Sequence, residues 1–438
     1  MKLKLIITLA AACGLLVQQS SAISLDEAIR IGKAQSLRME EPRIEKMRTD
    51  GRVREAWSLA LPQIEGQIGY QRAWKSNVVF FPNPMTGEIM PLKMQQDNAA
   101  SADVTLTQPL MTFGRVSAGI RAAYAADRST RHLSGNTERS LELEIQKSFW
   151  TVLLARDVVE IRRASLAISD SSLQRAIRLR DVGLMSDYDV LRVRVQAHNQ
   201  RPLLQQAENN LRLADLAFRE VLGVPLDTTI TADGQLDEFT IVPDTLNSGE
   251  RITNRDDLEA LRAVAEMQKN IYVIYRNAAW PTLGGQVKYS WQWQNDRWAI
   301  NPQNNASSVY GGIALTIPIL TSGGTSGLAK QFKADWRRSE WTLAQAERGA
   351  KLHYESAIRS YQTALENEEA TELAVQEAQE ARRIAQTKFE QGQITPLEMD
   401  AAQLDELVAR VARAQAKYDR LAAGADVKMA MGESPFTK

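Results

Sequence analysis

Leu106-Thr107-Gln108-Pro109-Leu110-Met111-Thr112-Phe113-Gly114-Arg115-Val116-Ser117-Ala118-Gly119 opens the stretch around which this chain is organised, and that stretch is written twice. Its second copy begins Leu315-Thr316-Ile317-Pro318-Ile319-Leu320-Thr321-Ser322-Gly323-Gly324-Thr325-Ser326-Gly327-Leu328. Each copy then runs without an internal proline to a similar break. The first break is Val182-Gly183-Leu184-Met185-Ser186-Asp187-Tyr188-Asp189-Val190; the second is Gln391-Gly392-Gln393-Ile394-Thr395-Pro396-Leu397-Glu398-Met399. The prolines 109 and 318 and the glycines 183 and 392 are both 209 positions apart, so the two copies hold one register with no net insertion. A length held so closely is a physical dimension. As helix, at about 1.5 Å per residue, it spans roughly 110 Å, and no globular domain of this size has room for two such rods.

Upstream of each rod the hydrophobic period changes from helical to two. Gln63, Glu65, Gln67, Gly69 and Gln71 alternate with Ile64, Gly66, Ile68 and Tyr70, with Trp74 beyond them. At a shift of 219, Thr282, Gly284, Gln286, Lys288, Ser290 and Gln292 alternate with Leu283, Gly285, Val287, Tyr289, Trp291 and Trp293. Two further alternating runs lead into the rods, so strands are expected at about 63–74, 100–109, 282–293 and 309–318. Strands of about ten residues, polar on one face and apolar on the other, are the pattern of a membrane β-barrel with interface aromatics; here these are Tyr70, Trp74, Tyr289, Trp291 and Trp293. On the strands alone, a half-buried hairpin of a soluble domain fits equally well. Four strands cannot close a barrel with a lumen, so the membrane reading requires several chains. The segments 75–100 and 294–308, rich in Pro, Asn and Gly and unequal in length, read as exposed loops.

Pro109 and Pro318 are expected to end the strands, and Gly114 and Gly323 to turn the chain into the long helices. At the breaks, Gly183 and Gly392 suit a left-handed helix end. Ser186 and Thr395 suit the cap of a returning helix, and Asp189 and Glu398 its first turn, favoured by the helix dipole. Ser24 and Glu27 form a capping box at the first helix, and Pro42 is expected to kink or end it. The fold class is therefore mostly α with a membrane β part, in two internal repeats. The expected divisions are a leader at 1–22, a first repeat at 23–222, a linker at 223–254, a second repeat at 255–423 and a polar tail at 424–438.

Lys2 and Lys4, an apolar run from Leu5 to Val17, and Ser20-Ser21-Ala22 read as a secretory signal cleaved before Ile23. Cys13, the single cysteine, lies inside it, which leaves an exported protein without disulfide or thiol chemistry. A lipid anchor at Cys13 is the rival reading; Ala10-Ala11-Ala12 lacks the leucine usual three positions before such a cysteine. Lys+Arg and Asp+Glu are both 53, and the basic residues gather into no nucleic-acid face. His132, His198 and His353 stand apart from one another, with no zinc-protease motif or nucleophile elbow, so no enzyme, metal or cofactor is expected.

Taken together, the strand openings Leu61-Pro62-Gln63-Ile64 and Trp280-Pro281-Thr282-Leu283, the two strand-to-helix junctions and the paired tips resemble the TolC-like outer-membrane efflux proteins. The likeness covers essentially the whole mature length. It implies a homotrimer in the outer membrane of a Gram-negative bacterium, in contact with outer-membrane lipid. In it, twelve strands would form one barrel and the antiparallel helices a periplasmic α-barrel. Such a channel passively conducts substrate in a tripartite efflux or type I secretion system, with a periplasmic adaptor (membrane fusion) protein and an inner-membrane pump of RND or ABC type. By the same resemblance, the tips at Gly183, Leu184 and Ser186 and at Gly392, Ile394 and Thr395 dock the adaptor. Gln393 and Ile394 depart from the family's G-L-x-[ST] wording, and Arg180 stands where an aromatic is usual, a place that Phe389 keeps. Glu398 matches one acidic ring of the family's pore aperture; Asp400 lies one position from the other, where Ala401 stands. A soluble periplasmic coiled-coil or adaptor-type scaffold is the alternative, and it leaves the two amphipathic strand pairs unexplained.

Overall fold

A computed structural model describes residues 21–82, 85, 87–243, 252, 255–298 and 302–435. In chain order the elements begin with β1 (Ser21–Ile23), α1 (Leu25–Gln35), α2 (Glu40–Ser58), β2 (Gln63–Arg72), β3 (Val78–Pro82), β4 (Ile89–Lys93) and β5 (Asn98–Met111). Then come α3 (Arg115–Asp181), α4 (Asp187–Leu222), β6 (Ile230–Ala232), α5 (Asp256–Arg276), β7 (Thr282–Asn295), β8 (Asn305–Thr316), α6 (Gly324–Glu390) and α7 (Pro396–Ala430). The chain divides into two compact units. One comprises Glu45–Thr130 and Ala260–Leu343; the other comprises Met1–Ile44, Arg131–Glu259 and Ala344–Lys438. The expected leader, except for Ser21 and Ala22, lies outside the described residues.

The repeat is exact in the helices. α3 and α6 have 67 residues each, and both ends of one lie 209 positions from the ends of the other. Each is entered through the same pair of left-handed residues: Phe113 (φ 47°) before Gly114 (φ 81°), and Ser322 (φ 48°) before Gly323 (φ 83°). Glycine takes that conformation without steric cost, whereas for Phe113 and Ser322 it is strained. The Phe113 carbonyl accepts a hydrogen bond from the Asn277 amide at 2.9 Å, and the Phe113 ring stacks on Trp280.

The first unit is built on an antiparallel sheet of order β2-β5-β7-β8. The strands run beyond the expected limits for β5, β7 and the start of β8. β2 stops at Arg72, short of Trp74, and β8 stops at Thr316, two residues before Pro318. Pro109 does not end its strand. β2 has already finished pairing at Thr107, so β5 continues beside β7 alone, passing Pro109 with a register shift before Met111. A proline is tolerated where one side of a strand is unpaired or bulged. The segment 75–100 is more than a loop: β3 and β4 form an antiparallel hairpin within it.

In the second unit, Phe149, Trp150 and Leu153 of α3 pack with Phe218 and Leu222 of α4 and Leu421 and Ala425 of α7. Phe149 meets Phe218 edge-on at 5.8 Å and Phe239 at the same distance. β1 pairs in parallel with β6, which ties the start of the first repeat to the inter-repeat linker, a pairing that periodicity does not reveal. Ser24 caps α1 as expected, but the helix breaks at Ser36 rather than at Pro42. Pro42 sits in the first turn of α2, where the missing N–H has no helical partner to lose. The expected polar tail is likewise corrected, since α7 continues to Ala430 with Gly424, Ala425, Val427 and Lys428 buried. Gly424 fits there because a Cβ would stand only 3.0 Å from Ile241 and 3.3 Å from Tyr361.

The four long helices of this unit lie in the order α4-α3-α7-α6. Arg163 of α3 pairs with Glu208 of α4 at 2.9 Å, and Lys147 of α3 with Asp426 of α7 at 2.6 Å. Arg382 and Arg413 join α6 to α7 through Glu406 and Glu372.

Candidate functional site

Two places gather the residues singled out by the sequence: the sheet of the first unit and the helical tips of the second. Register places Ile64, Leu106 and Val287 in one row across the sheet. The next rows on that face are Val104, Tyr289 and Val309, then Ile68, Ala102 and Trp291. Ile64, Ile68, Val104, Val287, Tyr289 and Val309 are all exposed. The opposite face carries Gln63, Thr107 and Gln286, then Glu65, Thr105 and Lys288, then Gln67, Asp103 and Ser290. Lys288 and Asp103 pair there at 3.2 Å. An apolar face turned to solvent in a single chain is a surface that something else must cover. Among the described residues, the long edges of β2 and β8 likewise have no strand partner.

The aromatic residues divide into two groups. Tyr70 and Tyr289 are exposed, Trp74 is 88% exposed beneath the Arg72 guanidinium, and Trp291 is half-buried. Trp293 departs from the expectation of an interface residue: it is only 2% exposed, because Trp298 folds over it edge-on at 5.4 Å. Trp298 also meets Tyr70 at 5.1 Å, and the Tyr70 hydroxyl donates to Asn98 at 2.8 Å. Trp298 was invisible to a periodicity argument because it lies in the loop after β7.

At the tips the two repeats share a backbone and differ in side chains. Gly183 (φ 77°) and Gly392 (φ 71°) end α3 and α6 in the left-handed conformation, with open space where a Cβ would stand. At the first tip, Ser186 accepts from the Asp189 backbone N–H at 3.2 Å and donates to the Asp189 carboxylate at 2.6 Å. At the second tip the box is reciprocal. Thr395 accepts from the Glu398 N–H at 3.3 Å, while Glu398 accepts from the Thr395 N–H at 2.8 Å and from its hydroxyl at 3.0 Å. These two donors, the backbone N–H first, hold the Glu398 carboxyl below the usual carboxylate range.

Asp400 does not present an open carboxylate, as an aperture ring requires; it is 3% exposed. It lies against Ser172 and Arg175 of α3. Burial pushes its carboxyl up, opposed by the Ser172 hydroxyl and the Arg175 charge. Leu397 joins Ala176, Val190, Val193 and Met185 of the first hairpin, and Arg175 sits over the Phe389 ring at 5.7 Å. The two tips therefore meet within one chain. Leu184 is exposed and Ile394 half-buried. Sequence reasoning missed Ser172, Arg175 and Leu397, which have no motif and are brought to the tip only by packing.

A sequence model described as outer membrane efflux protein matches residues 31–224 and 248–433, one segment for each repeat. Outer membrane protein TolC of Vibrio cholerae serotype O1 is 26% identical over 261 residues, which are 53% of this chain and 58% of that protein. The cobalt-zinc-cadmium resistance protein CzcC of Cupriavidus metallidurans is 23% identical over 202 residues, 46% of this chain and 48% of that protein. The chain thus spans about half the length of the curated relatives it matches. In fold it resembles the Campylobacter jejuni CmeC outer membrane channel, with a TM-score of 0.80 at 14% identity, covering 93% of this chain and 85% of that one.

Proposed function

Because the chain belongs to the outer membrane efflux protein family, whose members are efflux channels, we propose that three copies close their sheets into one twelve-stranded barrel in the outer membrane of a Gram-negative bacterium. The observation that carries this is the four-stranded sheet itself, apolar and exposed on one face, polar on the other and, among the described residues, unpaired along both edges. β2 and β8 run in opposite directions, so β8 of one copy extends the antiparallel alternation to β2 of the next without a break. Twelve strands enclose a wider lumen than the eight whose side chains fill the interior. Strands of 10–14 residues suffice for a hydrocarbon core of about 30 Å. Among the described residues, no helix is long and apolar enough to cross a membrane, which leaves any crossing to the strands.

In this reading the barrel conducts passively. The tips at Gly183, Leu184 and Ser186 and at Gly392, Ile394 and Thr395 meet a periplasmic adaptor fed by an inner-membrane pump of RND or ABC type. Glu398, exposed at the second tip, supplies three carboxylates around the axis, a ring that favours cations. Asp400 acts instead between α3 and α7. The test is the mass of the detergent-extracted protein by light scattering, followed by conductance in a planar bilayer. A trimer that forms discrete pores is expected. A monomer released from cells by osmotic shock would mean a periplasmic scaffold.

A further inference from the structure

The ribbon made by β2 and β5 does not end with the sheet. Beyond Arg72, the Ala73 N–H donates to the Asp97 carbonyl at 2.8 Å and the Met94 N–H to the Asn77 carbonyl at 3.1 Å, which carries the pairing into the hairpin of β3 and β4. Between those two bonds one strand has residues 74–76 and the other only 95 and 96, and the chain bends at Trp74, Lys75, Gln95 and Asp97. An extra residue on one strand is a bulge, so the hairpin leaves the line of the sheet. Its root is pinned. The Lys93 ammonium donates to Asp97 and to Asp296 at 2.7 Å each, and the Ser76 hydroxyl donates to Asp97 at 3.1 Å.

Beyond that root the hairpin is apolar on both faces. Register puts Val78, Phe80 and Ile89 on one side and Val79, Phe81 and Met90 on the other. All six are exposed, Phe80 to 68% and Ile89 to 70%. From Asn77 to Met94 the sequence holds one acid, Glu88, just before β4, and one base, Lys93, at the root. Exposed apolar surface of this extent marks a place that something else covers. A protein lying against one side would leave the other in water, whereas a lipid surface covers both.

We propose that this hairpin lies in the outer leaflet of the membrane, at headgroup depth, with Phe80 and Phe81 reaching the acyl chains. This rests on the three-copy barrel above, in which the end of the sheet away from α2 and α3 faces the outside. The rim of the sheet favours lipid over the pore mouth. On the apolar face the rim carries Tyr70, Trp291 and Trp298, with Trp74 exposed beneath Arg72. Aromatic side chains gather at the boundary between lipid and water, and long cations reach the headgroups from there. On the face that would line the lumen, the rim carries Gln71, Gln292 and Gln294, which offer an apolar hairpin nothing to pack on. The backbone limits the depth. Among the described residues β3 and β4 pair only with each other, and open strand edges are not tolerated in hydrocarbon. The strands therefore stay at the headgroups, and only side chains go deeper.

The test puts a nitroxide on Phe80→Cys and, separately, on Phe81→Cys in the full chain, reconstituted into vesicles of phosphatidylethanolamine and phosphatidylglycerol. Collision with oxygen, which dissolves in lipid, is compared with collision with a water-soluble nickel chelate. Val309→Cys on the apolar face of the sheet and Gln67→Cys on its polar face are the references, and wild-type protein carried through the labelling controls for Cys13. Both hairpin labels are expected to favour oxygen, as the Val309 label does. Two labels that favour the chelate, or one of each, overturn the proposal. So do labels sheltered from both reagents whose spectra are broadened by spin–spin coupling and sharpen on dilution with unlabelled protein, since the three hairpins then meet over the mouth. Phe80→Asp/Phe81→Asp reads the same choice through conduction: unchanged conductance of the single pore is expected, and a changed one marks a lid. A Val309 label that favours the chelate removes the barrel premise instead.

Discussion

The two tips match position for position and do opposite things with several of their side chains. Gly183 and Gly392, Ser186 and Thr395, Asp189 and Glu398 each stand 209 positions apart, and the backbone plays the same part in both. Yet Leu191, 54% exposed, is the counterpart of Asp400, which is 3% exposed. Tyr188 points outward at 72% exposed, while its counterpart Leu397 packs into the first hairpin. The acid is inside and the leucine outside, the reverse of what their hydropathy alone would give. The difference follows from neighbours. α7 lies between α3 and α6, so its first turn is covered on both sides; α4 is a flank, and its first turn faces whatever lies beyond the chain. A repeat thus preserves the path of the backbone while the position of each copy in the assembly decides what its side chains meet.

The largest effects that sharpen this comparison come from the pair the two tips bury alike. Met399 and Val190 are 1% and 2% exposed at equivalent positions. Met399→Ala is expected to destabilise by about 2–5 kcal/mol, the range for removing a buried methionine side chain. Val190→Ala removes two heavy atoms rather than three from a similar site and should cost less. Denaturant midpoints of the two variants at equal slope check the order. A smaller loss at Met399 would mean that α7 is less enclosed than α4, and the comparison would fail.

A second test turns on pH. Burial raises the Asp400 carboxyl above its ordinary range, so the folded state disfavours its ionised form. The unfolded chain ionises first as pH rises, and stability falls from the unfolded value up through the raised folded one. Asp400→Asn removes that penalty. It is expected to raise the melting temperature at neutral pH and to lose its advantage in acid, where Asp400 is protonated. Glu398 has the opposite sign: its carboxyl is lowered by the Thr395 donors, so its stabilisation is present at neutral pH and lost as pH falls through the lowered value. Melting curves of Asp400→Asn and Glu398→Gln against pH should therefore diverge from wild type at neutral pH in opposite directions. If Asp400→Asn is the less stable at neutral pH, Asp400 acts as an ion pair with Arg175 rather than as a buried acid.

Most of the fold was legible because it is built from periods. The 209-residue shift fixed both 67-residue helices, and alternation located all four strands of the sheet within a few residues. What escaped notice involved a second element. Trp293 alternates onto the apolar face like Tyr289, and only the position of Trp298 covers it. Gly424 reads as a helix stop, yet it is a place where α7 needs a small residue against Ile241 and Tyr361. Pro202 stands inside α4 with no counterpart in α7, where Val411 occupies the equivalent position; nothing in the structure explains it. Asp400 was legible as an acid beside the aperture position but not as a buried one, since period reveals the face of a helix and not what lies against it.

The smallest effects test whether the tips are equal where they look equal. Loss of a capping hydroxyl costs about 0.5–2 kcal/mol. Ser186→Ala removes both bonds of its cap, the acceptor for the Asp189 N–H and the donor to the Asp189 carboxylate. Thr395→Ala removes the same two bonds, but Glu398 still accepts from the backbone N–H of residue 395. The first variant should therefore lie nearer the upper end of that range and the second nearer the lower. Both residues are exposed, so water replaces part of what is lost, and neither change should unfold the tip. Hydrogen exchange at the N–H groups of Asp189 and Glu398 reads each cap directly. Faster exchange at Asp189 in Ser186→Ala than at Glu398 in Thr395→Ala is the expected order. Equal acceleration at both would show that the reciprocal bond from Glu398 adds nothing, and that the tips differ only in what packs against them.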